Sequence, residues 1–235
     1  MDGTTFACAI LIAHMNAIVK NVLLVYAALA PIVNPLGMAP IFAQMTQGYS
    51  SSVRRTVAMR VAVNGVVLLV ASLFIGSYIL EFFGISLAAV QFGGGLVVTV
   101  AGWRILNQQG DLKDRQLDSQ PSTERILSQA FYPLTMPLTV GPGSIAVALT
   151  LGSNLHEETR LQLIVSALAA VIGILAIGLT IFLCYRFADG LGRLLGPNGI
   201  SIVTRLSAFI LMCIGIQIMF NGLHAFYEQI MSAAK

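Results

Sequence analysis

Two short segments of this 235-residue chain concentrate the residues that could do chemistry. The first is Pro31-Ile32-Val33-Asn34-Pro35-Leu36-Gly37-Met38-Ala39-Pro40. The second is Pro133-Leu134-Thr135-Met136-Pro137-Leu138-Thr139-Val140-Gly141-Pro142-Gly143-Ser144. Each proline removes an amide donor and crowds the carbonyl one turn back. It also pushes the residue before it out of the helical region. Gly37, Gly141 and Gly143 loosen the chain further. Each segment therefore predicts an unwound stretch between two half-helices. Half-helix ends carry opposite partial charges. Amide ends suit a carboxylate, and carbonyl ends suit an ammonium group or a cation. The chemistry on offer is the binding of a small zwitterion by backbone ends and Asn34, without a charged side chain. The plainer alternative is a pair of proline kinks held by neighbouring helices.

Other chemistries find little support. Cys8, Cys184 and Cys213 are scattered, with no CxxC or His-Cys spacing, so metal and disulfide-framework readings fall away. Cys184 and Cys213 lie in apolar runs and read as small packing residues. A membrane thiol carrier would need a cysteine in each unwound segment, and neither has one. The hydrolase signatures HExxH and GxSxG are missing, and no enzyme activity is expected. Net charge is +3, and no basic stripe is interleaved with aromatics, so nucleic acid is not an expected partner.

The elements that position these segments follow from composition. Hydrophobic residues make up 57% of the chain and charged residues only 10%, against about 25% charged in a soluble domain. So few charges cannot cover a water-facing surface, and the class is an all-α membrane protein. A span needs about 20 apolar residues. Uncharged runs separate Lys20 from Arg54, Arg60 from Glu81, Glu81 from Arg104, Arg125 from Glu157, Arg160 from Arg186 and Arg205 from Glu228; they hold 33, 20, 22, 31, 25 and 22 residues. The order is long, short, short, twice over. Gly84-Ile85-Ser86-Leu87 at the third run is echoed by Gly199-Ile200-Ser201-Ile202 at the sixth.

The expectation is six transmembrane segments as two inverted three-helix repeats, with the first and fourth broken at the proline/glycine motifs. The N-terminal repeat covers 1–106, a polar cytoplasmic linker 107–125, and the C-terminal repeat 126–235. If all six runs cross, ten Lys and Arg fall on one face and three on the other. That bias puts the ten in the cytoplasm and both termini outside. The count would be the same if the long runs were re-entrant hairpins. Trp103, Tyr185 and Tyr227, each beside a charged residue, fit interfacial anchors.

No Asp, Glu, Lys or Arg lies deep in any run. Intramembrane carboxylates mark most proton relays, so a simple carboxylate relay is disfavoured. Asn64, Gln91, Thr99 and Gln217 are uncharged polar residues within spans; their default role is hydrogen bonding between helices. Gln217, near the middle of the sixth run, also has a reading as a solute contact. Gly93, Gly94 and Gly95 read as places of close helix approach.

Asn34-Pro-Leu-Gly-Met-Ala-Pro-Ile-Phe42 resembles the N-P-x-G-x-x-P-x-F signature of the MarC family. Pro133 to Ile145 resembles that family's second signature, and Phe92-Gly-Gly-Gly-Leu96 its glycine-rich third span. The match runs from about Val22 to Gly222. The resemblance implies a six-span protein of the bacterial inner membrane, akin to transporters of small neutral amino acids such as glycine and alanine. Carried onto this chain, it places the substrate cradle at Asn34, Pro35 and Gly37 facing Thr139, Gly141, Pro142 and Gly143. No cofactor is implied; a coupling ion, Na⁺ or H⁺, is left open. The expected partners are a small zwitterionic solute and the lipid bilayer, and a homo-oligomer is compatible with both. A channel-like pore or an exporter of other small solutes or drugs are the alternatives.

Overall fold

The computed structural model describes residues 3–107, 122–154 and 160–233, and every element among them is helical. Most of the 107–125 linker lies outside the described residues. The order is α1 (Gly3–Val33), α2 (Pro35–Met45), α3 (Ser51–Phe83), α4 (Leu87–Asn107), α5 (Thr123–Ser128), a π segment (Ala130–Thr139), α6 (Pro142–Asn154), α7 (Arg160–Arg186) and α8 (Ala188–Ala233). Four helices are long and apolar enough to cross a membrane: Ser51–Phe83, Leu87–Asn107, Gln162–Arg186 and Ser201–Ser232. Two bent pairs bring the count to six if each is one span. Ile18–Val33 with Pro35–Met45 bends by 43°, and Ala130–Thr139 with Pro142–Ser153 bends by 71°. The long runs are thus the broken ones.

Local chemistry sets the ends. Ser50 caps α3 by accepting the Val53 amide, and Gly84 closes it at φ 64°, where a side chain would be strained. Ser86 then accepts the Ala89 amide and starts α4. The expected echo at Gly199-Ile200-Ser201 does not repeat this turn. That stretch is inside α8, and the turn residue is Gly196, also at φ 64°.

The most extensive pairing is α4 against α8, which run antiparallel. Small residues recur every seven positions on both: Ala88, Gly95 and Gly102 on α4, and Ala208, Gly215 and Gly222 on α8. A Cβ added to Gly95 would lie 2.6 Å from the Gly215 carbonyl oxygen, and one on Gly102 would lie 2.8 Å from that of Ala208. One on Gly222 would lie 2.8 Å from that of Ala88. Backbone therefore meets backbone, as small residues permit where lipid offers no hydrophobic drive between helices. Gly94 and Gly95 do serve close approach, whereas Gly93 faces open space.

The core lies between this pair and α3 with α7. Leu29, Phe42, Leu69, Leu134, Ile174, Ile177 and Tyr185 are fully buried there. Tyr185 is thus not an interfacial anchor; its phenol points into the bundle, while Trp103 and Tyr227 are exposed. Among the described residues the buried polar side chains are Thr46, Thr135, Thr139 and Ser144, all uncharged. Gln91 makes the expected interhelical bond, donating to Thr150 Oγ1 at 3.0 Å. The Thr99 hydroxyl reaches Met219 Sδ of α8 at 3.8 Å as well as the Gly95 carbonyl of its own helix, whereas Gln217 donates to Asn221 on its own helix.

Gly95→Leu would drive a side chain into the backbone of α8. Overpacking of this kind costs about 3 kcal/mol or more. A large fall in the thermal midpoint of the purified protein is expected, while Gly93→Leu, on the open face, leaves it nearly unchanged.

Candidate functional site

The first proline segment breaks at a single residue. Asn34 takes the left-handed conformation, φ 45° and ψ 57°, which asparagine tolerates better than most residues. Its side-chain oxygen accepts the Gly37 amide at 3.2 Å. Its own amide donates to Ala30, and its carbonyl accepts from Met38. Pro35 sits at the first position of α2, where no amide is needed. The sequence expectation of an unwound stretch through all ten residues is corrected here. Pro31 stays in the last turn of α1 and Pro40 stays within α2. Each costs one helical bond rather than the helix. Membrane helices tolerate this where neighbouring protein takes up the freed carbonyl.

The second segment is irregular over its length. Tyr132 and Met136, each before a proline, are extended at φ −123° and −116°, as the proline ring demands. The peptide bonds that follow them are cis. Backbone bonds here reach five residues back, Leu134 to Gln129 and Val140 to Thr135. The Thr135 and Thr139 hydroxyls donate to the carbonyls of Ala130 and Leu134, each at 2.7 Å. Val140 is extended, and α6 starts at Pro142. The Gly141 carbonyl accepts both the Ile145 amide and the Ser144 hydroxyl. Gly143 and Ser144 are buried at the head of α6, where first-turn amides have no partner within the helix.

The two prolines-in-series patterns have the same spacing: 31, 35 and 40 against 133, 137 and 142. The breaks nonetheless fall at different members, before the second proline in one and before the third in the other.

The breaks meet through shared neighbours. α1 packs on α6, and α2 on the π segment. Tyr185 of α7 joins them: its hydroxyl is 2.8 Å from Thr139 Oγ1, and its ring stacks on Phe42 of α2 with centroids 4.4 Å apart. Gly37 lies against Ser207 of α8; a Cβ on Gly37 would be 2.6 Å from Ser207 Cβ and 2.8 Å from its Oγ. Gly143 lies against Val98 and the Gly94 backbone of α4. Asn34, Pro35 and Gly37 lie at the first break, and Thr139, Gly141, Pro142 and Gly143 at the second. No hydrogen bond joins Asn34 to Gly141–Gly143 among the described residues. Gln217 is apart from both: it is exposed, and ten residues, roughly 15 Å of helix, separate it from Ser207.

Sequence reasoning missed Ser207 and Tyr185. A serine in an apolar run carries no signal of its own. Tyr185 was disguised by Arg186, which suggested an anchor. Phe42 was visible only as the last residue of the first motif.

A model of the MarC family of integral membrane proteins matches residues 15–227. The chain belongs to the MarC family. The inner membrane protein MarC of Escherichia coli (strain UTI89 / UPEC) is 28% identical over 203 residues, covering 83% of this chain and 90% of that protein. Its counterpart in Salmonella typhimurium (strain LT2) is 29% identical over 202 residues, with the same coverage. No solved structure matches the chain. The family match covers both proline segments.

Two consequences are measurable. Gly37→Ala should crowd both the Asn34 side-chain amide and Ser207 of α8 and lower stability by about 1–3 kcal/mol; adding Ser207→Gly, which relieves only the second contact, should return part of that loss in a double-mutant cycle read by thermal unfolding. Thr139→Val strands the buried Tyr185 hydroxyl and should cost about 1–3 kcal/mol. Tyr185→Phe leaves Thr139 bonded to the Leu134 carbonyl, so its cost should be smaller, about 1 kcal/mol.

Proposed function

We propose that this protein is a multi-pass transporter of small neutral amino acids such as glycine or alanine in the bacterial inner membrane. The single observation that carries this reading is the meeting of two broken helices in an uncharged core, one from each half. Broken helices near the midplane present backbone amides and carbonyls to a zwitterion. A site of this kind needs no buried charge, and among the described residues the core has none.

The two halves are read as inverted repeats. The packing is consistent with this, because exchanging the halves maps one pairing onto another. α1 on α6 becomes the π segment on α2, α3 on α6 becomes α7 on α2, and α4 on α6 becomes α8 on α2. The α4–α8 contact maps onto itself, with Ala88, Gly95 and Gly102 exchanging with Ala208, Gly215 and Gly222. Bends of 43° and 71° favour spans that continue across over hairpins, which must reverse direction. The Lys and Arg bias then supports both termini lying outside.

Asn34 acts as a stand-in for the solute. Its side-chain oxygen already holds the Gly37 amide. A substrate carboxylate takes that amide by displacing Asn34, so binding and local rearrangement are one event. Alternating access follows if the broken elements then move against the remaining helices.

The test is uptake of labelled alanine or glycine into proteoliposomes. Wild type is expected to show saturable uptake and exchange, and Asn34→Ala and Gly141→Leu at least a tenfold loss. Absence of transport under every gradient sinks the reading; normal transport by both variants sinks the site. Uptake that does not saturate favours a channel-like pore.

A further inference from the structure

The outward faces of α3, α4 and α7 are apolar away from their ends, with Val63, Val67, Leu96, Val100, Leu175 and Leu179 exposed. The outward face of α8 differs. Leu206, Ile210, Cys213, Gln217, Phe220 and His224 are all exposed. At 3.6 residues per turn they fall within about 80° of arc. They also keep a seven-residue repeat, 206–213–220 and 210–217–224. This is the register of two helices lying side by side. Gln217 is near the middle of the Ser201–Ser232 span.

The polar groups on this face are incompletely used. Gln217 Nε2 donates to Asn221 Oδ1 at 3.0 Å. Among the described residues, Gln217 Oε1 and Asn221 Nδ2 have no partner. Hydrocarbon offers none either, and an unpaired amide there is costly. The atoms left with no partner at all are one acceptor, Gln217 Oε1, and one donor, Asn221 Nδ2, four residues apart on one stripe. That set is its own complement: a second α8, related by a two-fold axis, presents the missing donor to the acceptor and the missing acceptor to the donor. Two copies inserted with the same orientation must relate by an axis along the membrane normal, which makes the two helices parallel.

We propose that the chain forms a homodimer in the bilayer through the outer face of α8, with Gln217 and Asn221 of each copy hydrogen-bonding across the interface. The proposal is independent of what the protein transports. It also gives Gln217 a role on the outside of the bundle, where the structure places it, and puts Cys213 opposite its own counterpart.

The experiment uses the full chain with Cys8→Ser and Cys184→Ser, reconstituted in lipid vesicles and oxidised with copper phenanthroline. A disulfide-linked dimer through Cys213 is expected. A control carrying Cys213→Ser and Leu175→Cys, with its only thiol on the outer face of α7, should give little. Energy transfer between labelled copies at increasing lipid dilution then measures the dimer. Gln217→Leu with Asn221→Leu should raise the dissociation constant about tenfold. Both replacements are at home against lipid and leave the fold intact. A monomer at all dilutions overturns the proposal. So does equal crosslinking through Leu175→Cys, or a dimer that the double variant leaves unchanged.

Discussion

A backbone amide or carbonyl released inside hydrocarbon has no water to turn to, and this constraint governs the whole molecule. Two proline segments release several such groups. The chain answers locally wherever it can. Asn34 accepts the Gly37 amide with its side chain and the Met38 amide with its carbonyl. Thr135 and Thr139 return their hydroxyls to carbonyls five residues back. What cannot be answered locally must be buried in protein, and one side of each break is: Val33, Pro35 and Gly37 at the first, and Thr139, Val140 and Gly143 at the second.

That burial needs walls that hold their place. α4 and α8 supply them by bringing backbone against backbone through glycines spaced by seven. Each wall then touches one break: Ser207 of α8 lies on Gly37, and Val98 and Gly94 of α4 lie on Gly143. Tyr185 ties the breaks to each other, with its ring on Phe42 and its hydroxyl on Thr139. The contact is specific but modest in energy, since a neutral hydrogen bond adds only about 1 kcal/mol. A link of that size can be exchanged at small cost, whereas opening the glycine-lined wall would expose backbone to lipid.

Much of this was legible in the residues. Scarce charge set the membrane class, charge-free runs marked six segments, and clustered prolines located both breaks in the only overlong runs. The glycines of the third span announced close packing. Less was legible where a residue's role depends on which way it faces. Tyr185 and Gln217 sit in apolar runs that look alike in one dimension. One is fully buried against Thr139 and the other is exposed on the far side of α8. Composition cannot tell them apart, because facing is set by neighbours distant in sequence.

The sequence by itself therefore determined the class, the number and order of apolar runs, the absence of deep charge and the two places where regular helix must fail. Those follow from each residue's own hydration and backbone freedom. Only the tertiary structure decided how each failure is resolved. The same proline spacing gives a one-residue break at Asn34 and a ten-residue irregular segment before Pro142. A left-handed residue with a capping side chain was available at the first and not at the second, where Thr139 finds Tyr185 instead. Proline states that a helix bond is lost; only the packed neighbours state what replaces it.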